Sequence, residues 1–255
     1  DGSVVCTLQN GIPEPAVAAI VGSARTIGGA VGFGATWLGP GVSALTTTAL
    51  AVRDFAFEIG EIDGVIRPRL GLVRDYLSCV GHTQVLADLM GIRWSKLLMN
   101  ATFSGMSAAL GCTFGEVLDD PRALLCVAFI ADETVRAAHA AGHRMAPMQG
   151  EKFERFRLAS PAAVPQVLPM IRKIWSQHRQ LRASMLQDLE KGRDTEIGFI
   201  NGTVCDTGRA HGVPTPFNDR VVELVSAAQA ARGVPDFGNI ARFDDLLAPH
   251  RALSG

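Results

Sequence analysis

A lysine, an asparagine and a serine recur four residues apart in Arg93-Trp94-Ser95-Lys96-Leu97-Leu98-Met99-Asn100-Ala101-Thr102-Phe103-Ser104-Gly105. Trp94, Leu97, Leu98, Met99 and Ala101 fill the positions between them at helical rather than strand spacing. With about 3.6 residues per turn, Lys96, Asn100 and Ser104 follow one side of a helix and drift by about 40° per step. A cation, an amide and a hydroxyl therefore line one stripe of an apolar segment. A single lysine on a helix face is ordinarily a solvated charge. Polar company at regular spacing, with little other charge nearby, sets this one apart. A lysine among apolar neighbours can have a depressed pKa and serve as proton donor or base near neutrality.

The elements that position this stripe come from a chain of 255 residues, long enough for one large or two modest domains. Hydrophobic residues make up 47%, spread through Ala, Val and Leu without an uninterrupted run of membrane-spanning length. A net charge of −1 carries no electrostatic footprint for nucleic acid or an anionic membrane surface. Cys6, Cys79, Cys112, Cys126 and Cys205 are odd in number and scattered. They read as buried apolar fillers in a reducing compartment, the cytoplasm, and not as a disulfide framework. His139 and His143 stand four apart without a nearby third ligand, so no metal site is expected.

Val4 to Leu8 reads as a short buried strand, followed by a turn at Gln9-Asn10-Gly11-Ile12-Pro13. A buried strand this close to Asp1 suggests that the sequence starts inside a domain. Pro15 to Gly22 reads as a helix ending on a glycine cap. Thr26 to Trp37 reads as one strand interrupted by Gly28, Gly29, Gly32 and Gly34. This is not a dinucleotide fingerprint: after Gly32-x-Gly34 the third glycine position holds Trp37, and Gly39-Pro40-Gly41 makes a turn where a helix is required. Glycines at bends of a twisted sheet are the simpler reading. Val42 to Leu50, Phe55 to Ile59 and Val65 to Arg67 are strand-like, Leu70 to Val80 helical, and His82 to Leu86 a last short strand.

From Ala87 onward the pattern is helical. Arg93 to Ala109, Gly115 to Leu118 and Pro121 to Ala141 are helix segments, the last opened by Asp119-Asp120-Pro121. Phe153 to Arg157 gives a turn or two before a stretch with Pro161, Pro165 and Pro169. Met170 to Glu190 reads as one helix whose basic face, with Arg172, Lys173, Arg179 and Arg182, is solvated. Gly192 breaks it, and Asp194 or Thr195 caps a helix from Thr195 to His211. The break matters: on one straight helix Ser184 and Glu196 would lie about 18 Å apart along the axis and about 120° apart around it. A turn at Gly192 lets both reach one cleft. Asn218 to Ala231 is the last helix, and a surface tail completes the chain.

Three blocks resemble the ketopantoate reductase (2-dehydropantoate 2-reductase) family. Arg93 to Asn100 is similar to the start of its helical C-terminal domain, and Leu8-Gln9-Asn10-Gly11 to its Gln-Asn-Gly loop. Ser184-Met185-Leu186-Gln187-Asp188-Leu189, running on to Thr195-Glu196-Ile197 and Asn201-Gly202, resembles its second C-terminal signature. The resemblance implies an α/β plus all-α architecture. Residues 1–87 would be the remainder of a Rossmann-like nucleotide-binding domain whose first half, with the glycine fingerprint, is missing. Residues 88–255 would be a helical domain of the 6-phosphogluconate-dehydrogenase-like type carrying substrate contacts and a dimerisation surface. The part around residues 150–180 is longer than is typical of the family and has no assigned role.

The activity implied is NADPH-dependent reduction of 2-dehydropantoate to (R)-pantoate in pantothenate synthesis. The partners are a small 2-keto acid and, in a homodimer, a second copy of the chain; nucleic acid and membrane are not among them. Lys96 would protonate the carbonyl oxygen, Asn100 and Ser104 would contact substrate, and Ser184 would meet its carboxylate. Glu196 would bind a substrate hydroxyl and orient the site beside the cofactor, and Asn10 would lie by the nicotinamide-ribose end. Read without the resemblance, Glu196 is a partner of a helix dipole, Ser184 a small filler and Asn10 a turn former. Many family members carry a second Asn where this chain has Ser104, which lacks the amide's simultaneous donor and acceptor reach. Two alternatives remain open: a reductase of another branched 2-keto acid, and a non-catalytic fragment acting through protein association. Without the fingerprint the chain by itself should bind NADPH poorly and expose sheet edges, favouring association.

Overall fold

The computed structural model describes residues 2–148 and 150–253. Contacts divide the chain into two units, Asp1–Arg93 and Trp94–Gly255. The first holds β1 (Val5–Thr7), α1 (Glu14–Val21), β2 (Thr26–Val31), β3 (Ala35–Gly39), β4 (Val42–Leu45), α2 (Ala49–Asp54), β5 (Phe57–Glu61), α3 (Pro68–Leu77) and β6 (Thr83–Val85). Its main sheet has the order β1-β2-β5-β6 and is mixed. β1 is parallel to β2 and β5 parallel to β6, while β2 and β5 are antiparallel. Ile27, Val52, Ala56, Phe57, Ile59 and Leu70 form the core on this sheet.

The glycines of β2 serve close packing more than bending. A Cβ on Gly28 would meet Glu14 and Leu89, and one on Gly29 would lie 2.8 Å from Ile59. The stretch 26–37 is two strands in two sheets, not one. At Gly32 a Cβ would run into the Phe55 ring, and the Gly34 N–H donates to Thr47 Oγ1 at 2.8 Å. The chain turns there into the β3–β4 hairpin, closed through Gly41 at φ 73°. The strand expected over 42–50 stops at Leu45, because Thr48 caps α2 by accepting from the Ala51 N–H. Residues 65–67 are a loop, not a strand: the Asp63 carboxylate accepts from the Val65 N–H, and Pro68 opens α3.

In the second unit the elements are α4 (Leu89–Met99, entered from the first unit), a π-helical turn (Asn100–Ser104), α5 (Gly105–Leu110), α6 (Phe114–Asp119), α7 (Pro121–Ala140), α8 (Val164–Trp175), α9 (Ser184–Glu190), α10 (Asn201–His211), α11 (Pro216–Ala230) and α12 (Asp244–Leu247). α7 is buried along most of its length and packs against α6, α8, α10 and α11. Asp120 caps it, its carboxylate accepting from the Arg122 and Ala123 N–H groups. The helix expected over 170–190 is really α8 and α9. The carbonyls of Arg179 and Leu181 leave the helical pattern to accept from the Gly115 and Phe114 N–H groups at the start of α6. α8 starts six residues earlier than expected and includes Pro169.

The surface tail expected after residue 231 is also a correction: Ile240, Phe243 and Leu247 are buried in a 3₁₀ segment and α12. Of the cysteines expected as buried fillers, Cys112, Cys126 and Cys205 are buried, Cys6 is half-buried and Cys79 is exposed. Among the described residues no helix is long and apolar enough to cross a membrane.

Candidate functional site

From Gly91 to Leu110 every residue is buried except Lys96, Met99, Asn100 and Ser104. The polar stripe legible in the sequence is thus the open side of an otherwise sequestered rod. Its second half is a π turn, a form that is rare and often found at functional sites. In an α-helix a four-residue step overshoots a full turn by about 40°. A π turn holds more residues, so the step from Asn100 to Ser104 falls short of a full turn and offsets the drift between Lys96 and Asn100. The three groups are brought into closer line than a regular helix allows.

Packing holds this turn from behind. Phe103 is stacked on Trp175 with ring centroids 4.6 Å apart, and the Thr102 hydroxyl donates to the Leu98 carbonyl at 2.8 Å. α9 packs against the π turn and α5. Its start is tied down where the Ala183 N–H donates to Ser107 Oγ at 3.2 Å. Ser184 stands exposed in the first turn of α9.

Gly192, at φ 65°, ends the α9 region in the left-handed conformation, with the Arg193 N–H returning to the Asp188 carbonyl at 2.8 Å. Glu196 follows, half-buried. It is not inside a helix running from Thr195, as the sequence suggested. A 3₁₀ turn, Ile197–Phe199, comes first and α10 begins only at Asn201, because Ile200 adopts φ −108°, ψ −94°. The Thr195 N–H and hydroxyl both donate to Gln229 on α11, and its hydroxyl oxygen accepts from the Ile197 N–H at 3.4 Å, at the start of that 3₁₀ turn. Glu196 lies within electrostatic reach of α9: burial, and next the Glu196 charge, hold the Asp188 carboxyl above its usual range.

Asn10 belongs to the first unit, half-buried in the bend after β1. That bend is pinned by Arg93, which is fully buried and donates to the carbonyls of Gln9 (2.7 Å) and Thr7 (3.1 Å) while pairing with the buried Glu14. So Lys96, Asn100 and Ser104 share one face, α9 with Ser184 packs against the π turn and α5, Glu196 lies within electrostatic reach of Asp188 on α9, and Asn10 belongs to the other unit. Sequence reading gave no role to Asp188, Arg93 or Glu14. An arginine and a glutamate embedded in apolar helices were the only signal for the last two.

The sequence model described as "Ketopantoate reductase PanE/ApbA C terminal" matches residues 88–229, more than half of the chain. The chain belongs to the ketopantoate reductase family. It is similar to 2-dehydropantoate 2-reductase of Archaeoglobus fulgidus, 26% identical over 90% of this chain and 69% of that protein. The enzyme of the same name from Pyrococcus horikoshii is 27% identical over 90% of this chain and 68% of its own. Among solved structures, D-mandelate dehydrogenase with NADH and anilino(oxo)acetate matches with a TM-score of 0.72 at 23% identity, over 90% of this chain and 68% of that one. The 2-dehydropantoate 2-reductase of Geobacter metallireducens matches with 0.70 at 24%, over 88% and 68%. The last two show a shared fold, a small sheet unit followed by helices.

Ketopantoate reductases are oxidoreductases, which raises the question of what here fits a nicotinamide. Gly28, Gly29, Gly32 and Gly34 do not form a phosphate cradle, since side chains of this chain already fill the space beside each. Asn10 is a polar group just past the carboxyl end of β1, which pairs in parallel with β2, and open α/β sheets receive ligands at such strand ends.

Proposed function

We propose that this protein catalyses the NADPH-dependent reduction of 2-dehydropantoate to (R)-pantoate, a step of pantothenate synthesis. The observation that carries the reading is the Lys96–Asn100–Ser104 stripe, the open side of a buried rod in a chain of this family. We assign residues 1–87 to the nucleotide-binding part and residues 88–255 to the helical part that carries substrate contacts and a dimer surface. A ketopantoate reductase from Staphylococcus aureus of similar fold is described as dimeric. Five free cysteines suit a reducing compartment, the cytoplasm.

A bound nicotinamide would supply hydride to the keto carbon. Lys96 donates a proton from Nζ to the ketone oxygen as the C=O bond becomes C–OH. Asn100 and Ser104 hydrogen-bond the substrate along the same face, Ser184 meets its carboxylate, and Glu196 accepts from a substrate hydroxyl and orients the site at the cofactor. Asn10 would hold the nicotinamide-ribose end of that cofactor. NADPH in preference to NADH follows the family.

Ser104 favours a second substrate class, another branched 2-keto acid, because a hydroxyl replaces the amide many relatives carry there. NADPH consumption by the full-length protein over a panel of 2-keto acids tests both. Turnover highest on 2-dehydropantoate supports the first reading and turnover highest on another branched acid the second. No turnover on any member of the panel overturns both.

A further inference from the structure

The π turn has a dedicated support that lies far away in sequence. In an α-helix the Gly105 N–H would bond to the Ala101 carbonyl. Here it reaches Asn100 and Thr102 carbonyls instead, and Ala101 O accepts a side-chain hydrogen bond from Asn201 Nδ2 at 3.0 Å. Asn201 is fully buried. A Cβ on residue 105 would lie 2.7 Å from Asn201 Oδ1 and 3.1 Å from Nδ2, so only glycine admits the amide.

The direction of this bond is fixed by a chain of donors. Glu133, on α7, accepts from the Phe217 N–H (3.0 Å), from the Asn218 N–H (2.9 Å) and from Asn218 Nδ2 (2.8 Å). Donating to a carboxyl group that already accepts two N–H groups sets Asn218 Nδ2 towards Glu133 and leaves Oδ1 facing Asn201. Asn218 Oδ1 accepts from Asn201 Nδ2 at 2.9 Å, which sets the Asn201 amide with its nitrogen towards Ala101. One carboxyl group thereby orients two amides in series and supplies a donor to the carbonyl that the π turn releases.

We propose that Asn201 is a positioning residue: through Ala101 O it maintains the π turn that brings Asn100 and Ser104 into line with Lys96, with Asn218 and Glu133 fixing its orientation. This rests on the assignment of Asn100 and Ser104 as substrate contacts. Asn201 itself touches no substrate. Without its donor, and with alanine at 105 to favour the regular pattern, residues 100–104 revert to α-helix and Ser104 rotates out of the stripe.

The test is the Asn201→Ala/Gly105→Ala double variant of the full-length protein, read by its crystal structure and by steady-state kinetics. Expected are an α-helical 100–104 segment and a KM raised about tenfold to a hundredfold, with kcat changed much less, since Lys96 precedes the turn. A retained π turn overturns the inference. So does an α-helical segment with unchanged KM in an active enzyme. If the wild type reduces no 2-keto acid, the functional reading fails, while the backbone result still decides whether Asn201 holds the turn. Should the double variant not fold, Asn218→Ala decides by KM and by hydrogen exchange at the Gly105 amide. A KM raised about threefold or more with faster exchange supports the inference, and both unchanged overturns it.

Discussion

The two units hold their functional backbone by different chemistry. In the sheet unit a charged pair, Arg93 and Glu14, is buried completely and clamps the carbonyls before Asn10. In the helical unit two neutral amides and one carboxyl group carry the same duty for the π turn. A buried ion pair is costly to break, since removing one partner strands the other charge. A series of amides is softer, and its one titratable member makes it responsive to pH. Glu14 Oε2 already lacks a hydrogen-bond partner, so the sheet unit has little in reserve.

Arg93→Met should therefore have the largest effect, about 3–5 kcal/mol of stability. Denaturant unfolding measures the loss, and native-state hydrogen exchange should place it in residues 1–93. A loss near zero would make the two devices equivalent. Next comes pH. Burial lifts the Glu133 carboxyl from the ordinary 4.5 to about 7, so the folded protein binds this proton where the unfolded chain has lost it. The contribution is full below about pH 4.5 and is lost as the pH rises through about 7, by about 3 kcal/mol. Urea midpoints of the wild type between pH 4.5 and 8 should show that decline, and Glu133→Gln should flatten it. Gly28→Ala presses a methyl group against Glu14 and Leu89, with Leu89 Cδ2 only 2.6 Å from the new carbon; about 1–3 kcal/mol is expected from overpacking. The smallest effect belongs to Thr113→Ala, which removes the capping box of α6. It should lower stability by about 1 kcal/mol, measured by thermal unfolding, and leave Asn10 and its loop unaffected.

Legibility in the sequence followed the same divide between local and distant causes. Asp120 before Pro121, Gly22 and Gly192 are local signals, and each marks the boundary it implied. The split of 170–190 into α8 and α9 was not legible, because Arg179 and Leu181 give their carbonyls to α6, over sixty residues earlier. Ile240, Phe243 and Leu247 were passed over because no single periodic helix carries them. At the site, the four-residue spacing of Lys96, Asn100 and Ser104 was visible in the sequence itself. The π turn was not, since its cause is an amide 100 residues away. Nor was the irregular backbone at Ile200, which delays α10 and leaves Glu196 outside it.

The central claim is that the open stripe along α4 and the π turn is a catalytic face with Lys96 as its proton donor. The most direct measurement is kcat for Lys96→Ala in the full-length protein with its best 2-keto acid, alongside the wild type. A fall of about 10²- to 10⁴-fold is expected, with folding unchanged. An unaltered kcat would contradict the account.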